Sequence, residues 1–206
     1  MLHKNILLIQ QYLALGDSYT IGEGVALFHS FPYQLTQALR NKGISVSAPE
    51  IIARTGFTTD ELLSQVAAST ILPQYQLVTI LIGVNNQYRG LPIVEFETGF
   101  KKILDIAIQA VGGDTEKVYV LSIPDYGKSP FARQLDKTKI SEEITQFNTV
   151  KEAACKSRHI RFTDITTTAN QIPDATSFVE DGLHPSPGEY GRWVNLLMKD
   201  INLKSY

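Results

Sequence analysis

Two short polar segments contain the residue types that nucleophilic acyl transfer requires. Gly16-Asp17-Ser18 offers a serine on a tight turn, and a nucleophilic serine needs such a turn with N–H groups near it that can receive an oxyanion. Asp181 and His184 lie three residues apart near the end of the chain, with a glycine between them. Histidine is the usual general base near neutral pH, and an aspartate folded back onto the ring fixes its tautomer. The pattern predicts a triad of Ser18, Asp181 and His184.

Two further segments contain candidates for stabilising an oxyanion. The amide of Asn85 can donate a hydrogen bond to a developing negative charge. Gly56 has no side chain and therefore lets a substrate approach the backbone N–H closely. Each segment taken alone also suits an ordinary turn, because Gly, Asn, Asp and Ser are common turn residues. Their joint occurrence in a set order, three of them after predicted strands, favours the catalytic interpretation.

The elements that must position these residues alternate between short apolar runs and longer segments of helical period, an order typical of α/β domains. The predicted strands are Tyr12 to Leu15, one within Ile44 to Ile52, Leu77 to Ile82, Val118 to Ile123 and Ile160 to Phe162. The predicted helices are Ser30 to Asn41, Thr58 to Ser69, Val94 to Val111, Lys139 to Ser157 and one from Pro187 onward. Their predicted caps are Ser30, a capping box of Thr58 with Glu61, and Ser186 with Glu189 three residues later. Together the strands and helices predict a single domain over residues 1–206, with a three-layer architecture and a mostly parallel, five-stranded sheet. Ligands bind at the carboxyl ends of the strands in such sheets.

Composition excludes several classes of function. The chain has 206 residues, 43% of them hydrophobic, and a formal net charge of -2. It has no strongly basic cluster, so we expect no nucleic-acid partner. Its single cysteine, Cys155, can form neither an internal disulfide nor a cysteine-based zinc site, and is predicted to be a small buried hydrophobe. No Cys/His cluster has metal-ligand spacing, so we expect no metal.

The sequence also predicts that the chain does not insert into a membrane. No apolar run is long enough to span a bilayer. The short apolar stretch Ile6 to Ile9 is interrupted by Gln10 and Gln11, and no small-residue cleavage site follows it before Gly16. We therefore expect a chain without a signal peptide, located in the cytoplasm.

The four segments resemble the blocks of the SGNH hydrolases, also called GDSL-like hydrolases. The name SGNH lists the four functional residues Ser, Gly, Asn and His, one from each block. Gly16-Asp17-Ser18 matches the first block, Gly56 the second, Gly83-Val84-Asn85 the third, and the Asp181 to His184 segment the last. The resemblance runs from Gly16 to Pro185, and its first and last blocks are the most specific.

The resemblance implies a flavodoxin-like α/β/α domain that hydrolyses small-molecule esters or thioesters without a cofactor. Ser18 would attack the carbonyl carbon, His184 would take the proton, and Asp181 would orient His184. The backbone N–H groups of Ser18 and Gly56 and the side chain of Asn85 would hold the oxyanion. Neither the natural substrate, which in this family includes sugar esters and lysophospholipids, nor the oligomeric state follows from the motifs.

The chain departs from the family pattern at one position. The family often has aspartate after the oxyanion asparagine, whereas this chain has Asn86. Asparagine keeps the shape and can still accept a hydrogen bond, but it has no charge. If the position only braces the turn, Asn86 is sufficient; if its charge matters, the oxyanion hole is less well ordered.

Loops after strands are expected to shape the substrate pocket, because such loops often determine specificity. One loop, Asn86 to Pro92, contains Tyr88 and Arg89. Another, Asp125 to Lys137, contains Tyr126 and Phe131. Leu183 lies next to the predicted base. The candidate substrate-binding residues are Tyr88, Arg89, Tyr126 and Leu183.

Three alternatives remain open from the sequence. One is a catalytically silent carbohydrate- or lipid-binding module on the same fold, which the intact triad disfavours. Another is a flavodoxin-like cofactor binder. The negative charges of Asp17 and Glu23 disfavour that reading, because they lie where a phosphate would bind. The third is an acyltransferase with the same triad, which differs only in the acceptor of the acyl group.

Overall fold

The structure, a computed structural model, describes residues 9–72, 74–166 and 176–203. Five parallel strands form one sheet in the order β2-β1-β3-β4-β5. The strands are β1 (Tyr12–Gly16), β2 (Glu50–Ala53), β3 (Leu77–Leu81), β4 (Val118–Leu121) and β5 (Arg161–Thr163). This is the flavodoxin-like doubly wound order, in which ligands bind where the direction of winding reverses, beside β1 and β3. The predicted five-stranded α/β architecture is confirmed.

Helices cover both faces of the sheet. They are α1 (Ser18–Ile21), α2 (Phe31–Asn41), α3 (Thr59–Ala67), α4 (Val84–Tyr88), α5 (Ile93–Ala110), α6 (Lys137–Lys156) and α7 (Pro187–Asp200). The helices α2 and α7 pack against each other, and α5 packs against both α3 and α6. Because crossovers between parallel strands are right-handed, these two groups lie on opposite faces of the sheet.

The buried core agrees with the pattern of apolar runs. The strands β1, β3 and β4 are buried along their whole lengths, as continuous apolar runs between two helical layers require. Trp193 and Leu197 of α7 are buried in this core. Cys155 is a fully buried free thiol, which confirms its prediction as a small buried hydrophobe.

The predicted helix starts are largely confirmed. At α3, the Thr58 side chain accepts from the Glu61 N–H and the Glu61 side chain accepts from the Thr58 N–H, which is a complete capping box. At α7, Ser186 accepts from the N–H of Glu189. Ser30 occupies the N-cap position of α2 as predicted, but its hydroxyl donates to the Leu27 carbonyl and makes no cap hydrogen bond.

Two elements were not predicted from the sequence. The segments at Ser18 and Asn85, predicted as turns, fold as the short helices α1 and α4. Helices of four or five residues are too short to show a 3.6-residue apolar period, so periodicity does not reveal them. The predicted loop Asp125 to Lys137 contains two 3-10 turns, Tyr126–Lys128 and Pro130–Gln134.

Among the described helices, none is long and apolar enough to cross a bilayer. The apolar stretch interpreted above as too weak for a signal peptide lies outside the described residues, apart from Ile9.

Candidate active site

Ser18 lies directly above the carboxyl end of β1, an interior strand of the sheet. Asp17 caps α1 by accepting a hydrogen bond from the Tyr19 N–H at 3.1 Å, and Ser18 is the first residue of the helix. At this position a helix has no internal acceptor for the backbone N–H, so the N–H of Ser18 is available to a ligand. A side chain at Gly16 would come within 2.3 Å of the Leu81 carbonyl oxygen. The glycine therefore allows β1 and β3 to approach where α1 begins.

Asp181 and His184 form one compact turn before α7. The Asp181 Oδ1 accepts from the backbone N–H groups of Leu183 (2.7 Å) and His184 (2.9 Å). Its Oδ2 lies 2.5 Å from His184 Nδ1. Gly182, at φ +68°, makes the turn possible. The carboxylate thus holds the proton of the ring on Nδ1 and leaves Nε2 as the basic nitrogen.

The electrostatics of Asp181 favour its charged form. Partial burial acts to raise the pKa of Asp181, but the hydrogen bonds from His184 and Leu183 outweigh it and hold the pKa below its usual value. The imidazole itself is largely buried, and the Tyr19 ring packs edge-on against it at 5.6 Å between centroids. The ring of His184 is therefore held both by a charged acceptor and by packing.

Ser18 and His184 line the same pocket. Within the described part of the chain, no hydrogen bond joins the Ser18 hydroxyl to the imidazole, and such bonds often tighten only when substrate binds. A different group is near the basic nitrogen: the Glu23 carboxylate lies 3.8 Å from His184 Nε2. The sequence motifs gave no indication of this contact. The local signal was the pair of glycines on both sides of Glu23, which is typical of a turn.

Hydrogen bonds from the side chains of Asn85 and Asn86 connect α4 to the segment around Gly56 and Thr59. The Asn85 Nδ2 donates to the Phe57 carbonyl at 3.0 Å. The Asn86 side chain accepts from the Thr59 N–H and donates to the Thr59 hydroxyl, both at 3.0 Å. Asn86 is buried and holds the start of α3 in place. It does so with a neutral amide, at the position where SGNH hydrolases often have aspartate.

Arg89, directly after α4, also contacts the Gly56 segment and does not line the pocket. Its Nη2 donates to the Gly56 carbonyl at 2.6 Å, and its Nη1 forms an ion pair with Glu61 at 3.2 Å. Gly56 itself has a φ of +83°, which favours glycine. The sequence placed Arg89 among the candidate substrate-binding residues; the structure places it behind Gly56, where it holds the peptide.

The pocket above Ser18 has a volume of about 160 Å³. Ser18, Asn85 and His184 supply its polar wall. The remaining wall is aromatic or aliphatic and consists of Tyr19, Val84, Tyr88, Tyr126, Phe131 and Leu183. The rings of Tyr88, Tyr126 and Phe131 contact one another, with centroids 6.1–6.4 Å apart. Three of the four predicted substrate-binding residues, Tyr88, Tyr126 and Leu183, therefore meet in one apolar wall.

Two buried charged residues lie beneath the site. Burial raises the pKa of Asp17 to about 7, and its Oδ2 has no hydrogen-bond partner among the described residues. Burial lowers the pKa of Lys151 to about 7, and its Nζ donates to the carbonyls of Ile82 (3.0 Å) and Leu121 (2.8 Å). Each residue partly offsets the effect of burial on the other, because opposite charges favour the ionised forms. Sequence reasoning missed Lys151, since a helix lysine is rarely buried.

The doubly wound sheet, with Ser18 after β1, Asn85 after β3 and His184 before the last helix, defines the class of protein as a GDSL-like hydrolase. The chain belongs to the GDSL-like lipase/acylhydrolase family, whose model matches residues 14–190. No curated protein sequence matches the chain.

Solved structures share this fold at low sequence identity. The structure of TesA is 18% identical, with a TM-score of 0.74 over 94% of this chain and 98% of that one. A variant of Axe2, an acetyl xylan esterase from Geobacillus stearothermophilus, is 15% identical, with a TM-score of 0.72 over 95% and 97% of the two chains. The psychrotrophic esterase EstA from Pseudoalteromonas sp. is 15% identical, with a TM-score of 0.69 over 93% and 96%. These similarities establish the fold.

Proposed function

We propose that the protein is a carboxylic-ester hydrolase that works through a covalent acyl-enzyme on Ser18. The observation that carries the proposal is the 2.5 Å contact between Asp181 Oδ2 and His184 Nδ1, in a histidine that shares a pocket with Ser18. This contact leaves Nε2 free to accept a proton, which is the arrangement that activates a serine. Membership of a family of lipases and acylhydrolases supports the same reaction.

The reaction follows from these positions. The Ser18 oxygen attacks the ester carbonyl carbon while its proton passes to His184 Nε2. The resulting oxyanion is held by donors until the C–O bond to the alcohol breaks and His184 returns the proton to the leaving oxygen. Water, deprotonated by His184, then attacks the acyl-enzyme, which releases the acid and restores the serine hydroxyl.

The oxyanion donors in this proposal are the N–H groups of Ser18 and Gly56 and the amide of Asn85. A primary amide has two N–H donors. One donor of Asn85 is bonded to the Phe57 carbonyl, which fixes the plane of the amide. The second is available to the oxyanion. Because Arg89 and Asn86 hold the Gly56 segment to α4, the donors are positioned before substrate binds, which is what electrostatic catalysis requires.

Replacing Asn85 with alanine is expected to lower kcat by roughly 100- to 1000-fold, since one oxyanion donor is typically worth that much. KM is expected to change little, because the donor acts mainly in the transition state. The measurement is steady-state hydrolysis of a p-nitrophenyl ester. The matched control is Asn41→Ala at the exposed end of α2, which should leave kcat unchanged. A similar loss in both variants, or none in Asn85→Ala, would count against the assigned donor.

The apolar wall is proposed to bind the acyl group, and its size limits the length of that group. A cavity of about 160 Å³ is similar in volume to the engineered cavity of about 150 Å³ that binds benzene. We therefore infer acyl chains of up to about six carbons, or an aromatic acid.

The experiment that tests the function is hydrolysis of p-nitrophenyl esters from two to twelve carbons by the purified protein. The value of kcat/KM should rise by up to about fourfold per added carbon, the factor that one buried CH₂ provides, and should stop rising near six carbons. Removing part of the wall with Phe131→Ala should move the optimum to longer chains. Phe28→Ala, at an exposed phenylalanine outside the pocket, is the control.

The outcomes separate the alternatives. A rise in kcat/KM that continues to twelve carbons would overturn the short-acyl assignment but not the esterase reaction. Absence of hydrolysis at every length by the folded protein would contradict the proposed function and favour a catalytically silent binding module. Acyl transfer to an added alcohol in preference to water would identify an acyltransferase with the same triad.

A further inference from the structure

Glu23 is fixed to the nucleophile by the backbone of its turn. Its N–H donates to the Ser18 carbonyl at 3.1 Å. The glycines on either side, Gly22 and Gly24, have φ of +77° and +81°, conformations that favour glycine. A side chain at Gly24 would come within 2.6 Å of Val179, so the glycine also allows the turn to pack against the segment that leads to His184. The position of Glu23 relative to Ser18 is therefore set by the fold.

The Glu23 carboxylate lies between the two sides of the candidate site. Its Oε2 accepts a short hydrogen bond from the hydroxyl of Thr55, the residue before Gly56. The same oxygen lies 3.8 Å from His184 Nε2. The other oxygen, Oε1, forms no hydrogen bond with any residue that the structure describes. The side chain is 36% exposed, so a bound substrate can reach it.

This carboxylate lies on the side of the site where the alcohol must leave. Glu23 is not among the residues that line the apolar pocket, where the acyl group binds in the proposed function. The alcohol oxygen must receive its proton from His184 Nε2, so it passes close to that nitrogen. A charged group on the alcohol, two or three bonds further on, is then within reach of Glu23.

Among the described residues, Glu23 is the charged side chain that lies within 4 Å of His184 Nε2. Asp181 is directed to the opposite nitrogen of the ring, Nδ1. The guanidinium of Arg89, near Gly56, is paired with Glu61. The Thr55 hydroxyl holds the Glu23 carboxylate but does not neutralise it. The charge that an incoming alcohol meets beside Nε2 is therefore the negative charge of Glu23.

We propose that Glu23 forms the alcohol subsite of this esterase and selects by charge, favouring esters of cationic alcohols and disfavouring esters of anionic ones. The inference rests on the proposed function, because it assigns the leaving group of that reaction. Coulomb attraction or repulsion at a partly exposed carboxylate is modest, so a selectivity of about tenfold between the two charges is expected.

The test compares three butyrate esters that share one acyl group: butyrylcholine, its uncharged isostere 3,3-dimethylbutyl butyrate, and the anionic butyryl ester of 3-hydroxypropanoate. For the wild type, kcat/KM should fall in that order, with about a tenfold difference between the first and the last. In Glu23→Gln, which retains an acceptor for Thr55, the ratio should fall to about twofold or less. Glu116→Gln, before the amino-terminal end of β4 and so at the opposite end of the strands from the site, makes the same change in net charge and should keep the wild-type ratio.

Salt provides a second readout. At 1 M ionic strength the screening length falls to about 3 Å, so the charge selectivity of the wild type should largely disappear. Selectivity that is unchanged in Glu23→Gln would overturn the inference. A loss of activity in Glu23→Gln that is equal for all three esters would also overturn it, because Glu23 would then act on His184 and not on the alcohol. Failure of the wild type to hydrolyse the three esters, while it hydrolyses p-nitrophenyl butyrate, would overturn the inference alone. Failure on the p-nitrophenyl esters as well would contradict the proposed function itself.

Discussion

Replacing Ser18 with alanine is expected to lower kcat for ester hydrolysis by roughly a millionfold, the loss seen when a serine nucleophile that acts in a triad is removed. The expected residual rate comes from the oxyanion donors and from substrate binding, which the substitution leaves in place. The fold should be retained, because the Ser18 hydroxyl takes part in no hydrogen bond within the described residues, and the α1 cap is made by Asp17.

The measurement combines kinetics with covalent labelling. A fluorophosphonate probe should label the wild type at one serine, identified as Ser18 by mass spectrometry of the digested protein, and should not label Ser18→Ala. The control is Ser64→Ala on the exposed face of α3, which should keep both the activity and the label. If Ser18→Ala retained more than about a tenth of the wild-type kcat while folded, the serine mechanism would be wrong for this protein.

Replacing Asp181 with asparagine is expected to lower kcat by roughly ten thousandfold, the effect of the same change in another serine triad. The reason is the tautomer of His184. An amide N–H directed at Nδ1 would move the ring proton to Nε2, which then has no lone pair for the serine proton. The amide oxygen can still accept from the N–H groups of Leu183 and His184, so the turn should be retained.

The control for this change is Asp114→Asn. The Asp114 carboxylate also accepts from a backbone N–H, as the cap of a 3-10 turn before the amino-terminal end of β4, at the opposite end of the strands from the pocket. Its kcat should equal that of the wild type. Thermal unfolding of both variants establishes whether the turn survives. An Asp181→Asn variant that kept more than about a tenth of the activity would show that Asp181 shapes the turn without setting the histidine tautomer.

The sequence alone determined those features that depend on neighbours along the chain. Apolar runs marked all five strands, and their alternation with helical periods predicted the architecture, because both patterns arise from which face of an element is buried. The capping box of Thr58 and Glu61 and the pairing of Asp181 with His184 join residues three apart, so local spacing was sufficient to predict them.

Only the tertiary structure decided the features that depend on contacts between distant segments. It placed Arg89 behind Gly56 and not in the pocket, buried Lys151 beneath the nucleophile, and brought Glu23 to the free nitrogen of His184. Each of these side chains is charged, and charged residues in sequence are expected in solvent. The burial of Lys151 and the partners of all three side chains are consequences of how the helices and loops meet at the end of the sheet, and no local pattern indicates them.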